Sequence, residues 1–281
     1  MSGILFVVST PIGNLGDVSE RALEVLRSVA VVACEDTRVT GKLLQRFGVA
    51  TRVTSYHEHN EARRAAQLVE RLRSGDDVAL VSDAGTPLVS DPGYRLVRSA
   101  RENGVPIRAV PGPSAAIAAL AISGLPPTPF TFLGFIPPRG QARGRAIDSL
   151  RNVAHTIVLF EAPSRIGRLL SELATVLGDR QAVLLRELTK LHEEHWWGSL
   201  GELALKAKRQ SLKGELTLVV SGGSSEQTIP LETLAPRFAE LRHSGLTARD
   251  AARVLAREHG LSARAIYQAF AVSGSEQSEP P

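Results

Sequence analysis

Short apolar runs recur along this chain with amphipathic stretches between them, and that alternation constrains the fold more than any other feature. Strand candidates are 4–9, 29–34, 51–55, 77–82, 106–110, 129–135, 155–160, 181–186 and 214–220. Helical segments are 18–28, 39–47, 60–74, 94–103, 113–123, 143–151, 164–177 and 199–209. Strands separated by helices predict an α/β fold with mainly parallel pairing, because a parallel connection needs a crossover long enough to hold a helix. Segment 164–177 shows the expected helix grammar. Ser164 is placed to cap it, Ile166, Leu169, Leu170, Leu173, Val176 and Leu177 share one side, and Gly178 ends it.

At 281 residues the length prior is about two domains. The segment Pro111-Gly112-Pro113-Ser114 turns the chain toward a helix, with Pro113 suited to the first helical turn. Gly124–Pro129 then leads into a second set of strands. The expected organisation is an α/β domain over 1–115, a second α/β domain over 116–225, and an interdomain cleft as the favoured ligand location. A helical domain follows over 231–272, in which Thr247–His259, a turn at 260–262 and Ala263–Phe270 read as helix–turn–helix. Pro137–Arg145, Gly222–Pro230 and Ser273–Pro281 read as flexible or disordered.

The run 78–93, VALVSDAGTPLVSDPG, reads as a buried strand ending in a Gly/Pro-stiffened loop with two carboxylates. In open α/β sheets ligands bind outside the carboxyl ends of strands. Neither common phosphate loop is present, since G-x-x-x-x-G-K-[ST] does not occur and no G-x-G-x-x-G opens a helix after a strand. A ligand held here is therefore not expected to be gripped by its phosphates.

The apolar runs fall short of the ~20 residues that span a bilayer. The start, MSGILFVV, lacks the basic region and cleavage site of a signal peptide, so the expected location is cytoplasmic. Cys34 is the single cysteine, which excludes intrachain disulfides and zinc sites built on paired cysteines. Among apolar neighbours it reads as a small buried hydrophobe. Of 33 basic residues five are lysine and 28 arginine, at a net charge of +4. That charge permits an RNA partner without requiring one.

Several motifs fall in order at the ends of successive strand candidates. Thr10-Pro11-Ile12-Gly13-Asn14-Leu15 follows the first and Glu35-Asp36-Thr37-Arg38 the second. His57-Glu58-His59-Asn60-Glu61, the 82–93 loop, Pro111-Gly112-Pro113-Ser114-Ala115 and Arg186-Glu187-Leu188-Thr189-Lys190 come next. From about residue 4 to residue 220 the set resembles the ribosomal RNA small subunit methyltransferase I family of the tetrapyrrole methylase superfamily, and the helical tail fits that family's C-terminal extension.

The resemblance implies S-adenosylmethionine as methyl donor. It implies the ribose 2′-hydroxyl of a cytidine in the decoding region of 16S rRNA as acceptor, within the small ribosomal subunit, and a homodimer with the cofactor folded into the cleft. By position in the family motifs, Pro11, Ser82, Asp83, Ala84, Gly85, Leu88, Ser114, Ala115 and Thr189 are assigned to the cofactor. Ser82-Asp83-Ala84-Gly85 departs from the Gly-Asp-Pro form of tetrapyrrole-modifying relatives.

On the acceptor side Asp36, Arg38, His57, Glu187 and Lys190 are the polar candidates. Asp36 or Glu187 would accept the hydroxyl proton, Arg38 and Lys190 would position phosphate or developing negative charge, and each also has a structural ion pair as its alternative. His57-x-His59 and His192-x-x-His195 lack a third ligand, so no metal is expected. Trp196 and Trp197 are expected to pack, with RNA stacking as the alternative. Arg139, Arg143 and Arg145, within Pro137–Arg151, are expected to meet RNA phosphates, as is the cluster Lys206, Lys208, Arg209 and Lys213. Arg249, Arg253, Arg257 and Arg264 of the tail either touch RNA or belong to a docking element. Two other readings compete: a methyltransferase acting on a tetrapyrrole, and a non-catalytic nucleic-acid-binding module whose helix–turn–helix carries the function.

Overall fold

A computed structural model describes residues 2–223, 231–259 and 263–271. The first half is built from β1 (Leu5–Val8), α1 (Glu20–Ser28), β2 (Val31–Cys34), α2 (Thr37–Arg46), β3 (Val53–Ser55), α3 (Glu61–Arg73), β4 (Val78–Leu80), α4 (Tyr94–Glu102) and β5 (Ile107–Val110). Its strands form one parallel sheet in the order β3-β2-β4-β1-β5, with Leu5 paired to Val78 on one side and Ile107 on the other. β2 and β4 are buried along their whole length, which is why Val31–Cys34 reads as a continuous apolar run rather than an alternating one. Cys34 is fully buried. Separate clusters around Leu72 and Leu96, and around Leu26 and Val32, pack the sheet against its helices.

The second half holds α5 (Ala115–Ile122), β6 (Phe130–Phe135), α6 (Gly140–Asp148), β7 (Thr156–Glu161), α7 (Pro163–Leu177), β8 (Gln181–Arg186), β9 (Glu194–Ser199), α8 (Leu200–Arg209) and β10 (Leu216–Val220). The sheet order is β6-β7-β10-β8-β9. Here the expectation of parallel pairing is corrected. Only β6 and β7 run parallel, and β10 lies antiparallel between β7 and β8, with Leu218 opposite Leu159 and Leu184. β9, not among the expected strands, joins as an antiparallel edge with Trp196 opposite Leu184.

Three local expectations also shift. Ala162 is the N-cap of α7 with Pro163 in its first turn, so Ser164 lies inside the helix. Pro113 precedes α5, whose N-cap is Ser114. The arginine-bearing segment read as flexible begins a helix, α6, at Gly140.

The described residues of Met1–Leu150 and His155–Ser221 form one compact unit. The two sheets share a core in which Ile12, from the loop after β1, packs with Ala116, Ala119 and Leu120 of α5 and with Val183, Leu185 and Val219. A second unit comprises Arg151–Ala154 and the described residues from Gly222 onward. It carries α9 (Ala235–His243), α10 (Ala248–His259) and α11 (Ala263–Ala271), closed around Phe238, Leu255 and Ile266. Turn 260–262 and the segment 273–281 lie outside the described residues, as does most of 222–230. No helix among the described residues is long and apolar enough to cross a membrane.

Candidate functional site

The site forms where the parallel sheet changes direction. After β4 the chain crosses β1 to reach β5, so the loops following β1 and β4 emerge side by side. They are stitched together by an isolated antiparallel bridge in which Thr10 N donates to Gly85 O (2.8 Å) and Gly85 N to Thr10 O (3.0 Å). The Thr10 hydroxyl donates to Ser82 O (3.1 Å), and the Thr86 hydroxyl donates to Pro113 O (3.1 Å), which adds the loop after β5.

The second sheet supplies the opposing wall. Gly13 sits so near the Thr189–Lys190 turn that a Cβ would collide with the Lys190 side chain and lie 3.0 Å from Leu188 O, so the chain needs glycine there. At Gly134 (φ 66) a Cβ would strike the Ser90 side chain, which reaches across from the first half. Non-glycine residues in the left-handed region cluster in the two facing loops: Leu88 (φ 73) and Ser90 (φ 70) in one, Glu187 (φ 53) and Thr189 (φ 65) in the other. Such conformations cost of order 1–3 kcal/mol each and concentrate at ligand sites.

Two adjoining cavities result. The first has a volume of about 330 Å³ and is walled by Ala84, Ala115, Phe135, Phe160, Ala162 and Leu216. Asp83, Asp91, Glu161 and Glu215 are among its lining residues, with no lysine, arginine or histidine, although the Glu161 side chain is fully buried against Arg165. The second, about 420 Å³, shares Ile12, Asp83, Ala84 and Glu215 with the first and adds Pro11, Ser82 and Lys190. Both lie in the size range of small-molecule sites.

Of the residues assigned to a cofactor, Asp83, Ala84, Ser114 and Ala115 line the first cavity, and Pro11 and Ser82 the second. Gly85 makes the bridge to Thr10, Leu88 packs beneath the loop, and the Thr189 hydroxyl is buried with no hydrogen-bond partner.

The acceptor-side candidates are mostly braced. Asp36 caps α2 through Arg38 N (2.8 Å) and pairs with the Arg38 guanidinium (2.6 Å), which holds its pKa down to about 2. Arg38 itself is 85% exposed. Glu187 accepts from Glu215 N (2.8 Å) and Lys190 Nζ (2.9 Å), and both lower its pKa. Burial works against the Lys190 charge, but Glu187 and Glu215 outweigh it and raise its pKa. His57 lines neither cavity. Its Nε2 lies 3.0 Å from Asn60 Nδ2, and its Nδ1 is buried without a partner.

Arg139 and Arg145 are exposed on the α6 segment, whereas Arg143 is only 2% exposed. Its guanidinium donates to Glu172 (2.7 Å) and Pro137 O (3.0 Å) and lies 3.6 Å from Glu161. It turns inward with Ile147, one helical turn on, so the expected phosphate contact is corrected to a buried ion pair. Trp196 is buried, its Nε1 donating to Glu194 (2.6 Å), while Trp197 is 56% exposed. No group of three or more potential metal ligands occurs among the described residues.

The sequence analysis did not single out Phe135, Phe160, Glu161, Ala162, Leu216 or Thr217, all of which line the first cavity. Phe160–Ala162 sit at the carboxyl end of β7, whereas Leu216–Thr217 open β10, whose antiparallel direction brings its amino end to the same edge. Glu35 and Asp91 stand within the motifs noted above, but no role was assigned to either. Burial raises the pKa of both, as it does for Asp83, and pushes Asp91 up to about 6.

Residues 5–204 match the family model for Tetrapyrrole (Corrin/Porphyrin) Methylases. The chain is 47% identical to a ribosomal RNA small subunit methyltransferase I from Micromonospora olivasterospora, over 99% of this chain and 90% of that one. It is 44% identical to the protein of the same name from Synechocystis sp., covering 95% and 96%. A diphthine synthase crystal structure superposes with a TM-score of 0.63 at 22% identity, covering 79% of this chain and 90% of that one. The uroporphyrin-III-C-methyltransferase of Thermus thermophilus gives 0.57 at 23%, covering 79% and 96%, and these two likenesses concern the fold alone.

Proposed function

The chain belongs to the tetrapyrrole methylase family, in its ribosomal RNA small subunit methyltransferase I branch, and from that premise we propose that it transfers a methyl group from S-adenosylmethionine to the 2′-oxygen of a cytidine ribose in the decoding region of 16S rRNA. The observation that carries the cofactor is the first cavity, where Asp83, Asp91 and Glu215 and no lysine, arginine or histidine stand among apolar and aromatic walls. S-adenosylmethionine is a purine nucleoside bearing a sulfonium and an α-amino acid, so apolar walls suit its base and Asp83 and Glu215 suit its sulfonium and ammonium. The buried, unpartnered Thr189 hydroxyl is a further polar group left for a ligand.

When bound, the cofactor supplies an activated methyl group, and the chain's residues orient and neutralise. Asp83, Ala84, Ser114, Ala115 and Thr189 hold the cofactor, with Pro11, Ser82, Gly85 and Leu88 shaping its loops. Alignment of this kind contributes about 7–11 kcal/mol to a displacement of two bound groups. Lys190, which lines the second cavity, and exposed Arg38 meet RNA phosphate, and exposed Arg139 and Arg145 extend that contact. Asp36 orients Arg38, and Glu187 orients Lys190.

The protein works as a homodimer in the cytoplasm on this reading. Support for the dimer comes from α5, which has no polar residue yet leaves Ile117 (54%) and Ile122 (44%) exposed beside Gly124, on which Trp197 packs.

The test is methyl transfer from labelled S-adenosylmethionine to small subunits isolated from cells lacking this protein, with the labelled nucleotide mapped. Label on one ribose 2′-oxygen near the decoding centre is expected. Cofactor binding with no label on the subunit would overturn the reading and favour another acceptor.

A further inference from the structure

Asp91 is the cavity carboxylate that these roles leave unused. It follows Ser90, in the left-handed region, and precedes Pro92 and Gly93 (φ 144). A Cβ at Gly93 would lie 2.9 Å from both Leu80 and Leu88, and Ser90 abuts Gly134 of the second sheet. The loop is therefore packed between the two sheets, and Asp91, half-buried, lines the first cavity.

The charges around Asp91 come from each packed element. Glu35 just after β2 and Asp83 after β4 add negative potential, and the nearby Ser82 hydroxyl, which donates to Gly85 O (3.2 Å), offsets it in part. His57 faces Glu35 from beyond β3. On the second sheet, Glu161 shares the cavity but is committed to Arg165 (2.6 Å) and Ala162 N (2.8 Å). Among the described residues no lysine or arginine pairs with Asp91. The net effect, burial first and Glu35 second, holds its pKa near 6.

A base for a ribose hydroxyl is most effective when its own pKa approaches the working pH. Asp36, held near 2 by Arg38, is a poor acceptor, and Glu187 is held low by Glu215 N–H and Lys190. Asp83 already accepts from Asp36 N (3.0 Å).

We propose that Asp91 is the catalytic base that takes the proton from the acceptor hydroxyl. This assignment rests on the methyltransferase reading above. The ribose oxygen forms its bond to the methyl carbon as the carbon–sulfur bond breaks, and that bonding pair stays on sulfur, which becomes a neutral thioether. The hydroxyl proton passes to an Asp91 carboxylate oxygen and then to solvent when the carboxyl reionises.

Wild type, Asp91→Asn and Asp91→Glu are compared by single-turnover methyl transfer to unmodified small subunits between about pH 5 and 9. S-adenosylmethionine affinity is measured for each by equilibrium dialysis. The Asp91 carboxyl is also titrated by carbon NMR in the cofactor-free protein, with Asp91→Asn as the assignment control. The expected wild-type rate falls on the acid side with a midpoint near 6, and the NMR titration shares that midpoint. Asp91→Asn should lose roughly 10²–10⁴-fold in rate with cofactor affinity little changed. Asp91→Glu should recover part of the rate with a displaced acid limb. An Asn variant at wild-type rate overturns the assignment, as does an Asp91 titration in the ordinary range near 3.9. Parallel loss of rate and cofactor affinity makes Asp91 a cofactor ligand and overturns it equally. If the wild-type protein binds cofactor but methylates no subunit, the functional reading fails first and the assignment falls with it, before any variant is compared.

Discussion

The backbone N–H of Asp36 donates to Asp83 Oδ1 at 3.0 Å, so a carboxylate from the loop after β4 holds the entrance to α2. One residue thereby ties two loops of the site together while lining both cavities. Replacing it separates the two duties. Asp83→Asn keeps an acceptor for the Asp36 N–H, whereas Asp83→Ala leaves that N–H unpaired at a cost of about 1–3 kcal/mol. The expected result is reduced S-adenosylmethionine affinity in both variants by calorimetry, with a clear loss of urea stability only in Asp83→Ala. Equal stability of the two would remove the loop-tying role.

Arg38 and Asp36 make a second, looser relationship. Because Asp36 has its pKa lowered to about 2, it stays ionised above about pH 3, and the brace on Arg38 persists across the working range. Its contribution is present above the ordinary carboxylate pKa and is lost only as pH falls through about 2. The guanidinium is mostly in water, so Arg38→Ala should leave the melting temperature unchanged. If Arg38 meets an RNA phosphate, the slope of log affinity against log salt should drop by about one. An unchanged slope would make the pair purely a helix cap.

Arg143 should behave in the opposite way. It is sealed between Glu161 and Glu172, and removing one partner of a buried pair costs about 3–5 kcal/mol. Arg143→Ala is therefore expected to unfold at markedly lower urea. Arg139→Ala and Arg145→Ala should keep stability and lower the salt slope of RNA binding. A destabilised Arg139 variant beside a neutral Arg143 variant would reverse the assignment of these arginines.

These three arginines also show where the sequence is legible and where it is not. Pro137–Arg145 carries a strongly basic composition, but inward and outward arginines differ only in helical phase. The Arg143–Ile147 spacing of four was a usable signal, since both residues fall in the helix expected at 143–151, but the basic composition of Pro137–Arg145 drew Arg143 to the solvent side instead. The parallel sheet was readable because buried parallel strands are apolar throughout and are followed by loops rich in Gly, Pro and Asp. The direction of β10 was not, since antiparallel and parallel neighbours both accept the run Leu216–Val220. β9 escaped because Glu194–Ser199 exposes His195 and Trp197 on an edge and buries Trp196 as its one large apolar side chain. The loops of the first half announced the site through composition. Asp91 and Glu35 lie in those same loops, but composition gives no sign of what distinguishes their carboxyls, which is burial and neighbouring charge brought together by the fold.

Thr189 gives the most direct test of cofactor fit that does not depend on turnover. Its backbone is left-handed, an uncommon state for a β-branched residue, and its N–H is anchored to Glu193 (2.6 Å). The hydroxyl so positioned is buried and unpaired, which costs about 1–3 kcal/mol in the free protein. Thr189→Val keeps the shape and the branching while removing that hydroxyl. In the absence of ligand the variant should be as stable as wild type or more so, by up to about 1 kcal/mol in urea. If the hydroxyl bonds the cofactor, S-adenosylmethionine should stabilise the wild-type protein more than the variant, with affinity reduced about tenfold, equivalent to roughly 1.4 kcal/mol. Equal cofactor stabilisation of the two proteins would remove Thr189 from the binding set and leave its strained backbone as a means of orienting Lys190 toward Glu187 and Glu215.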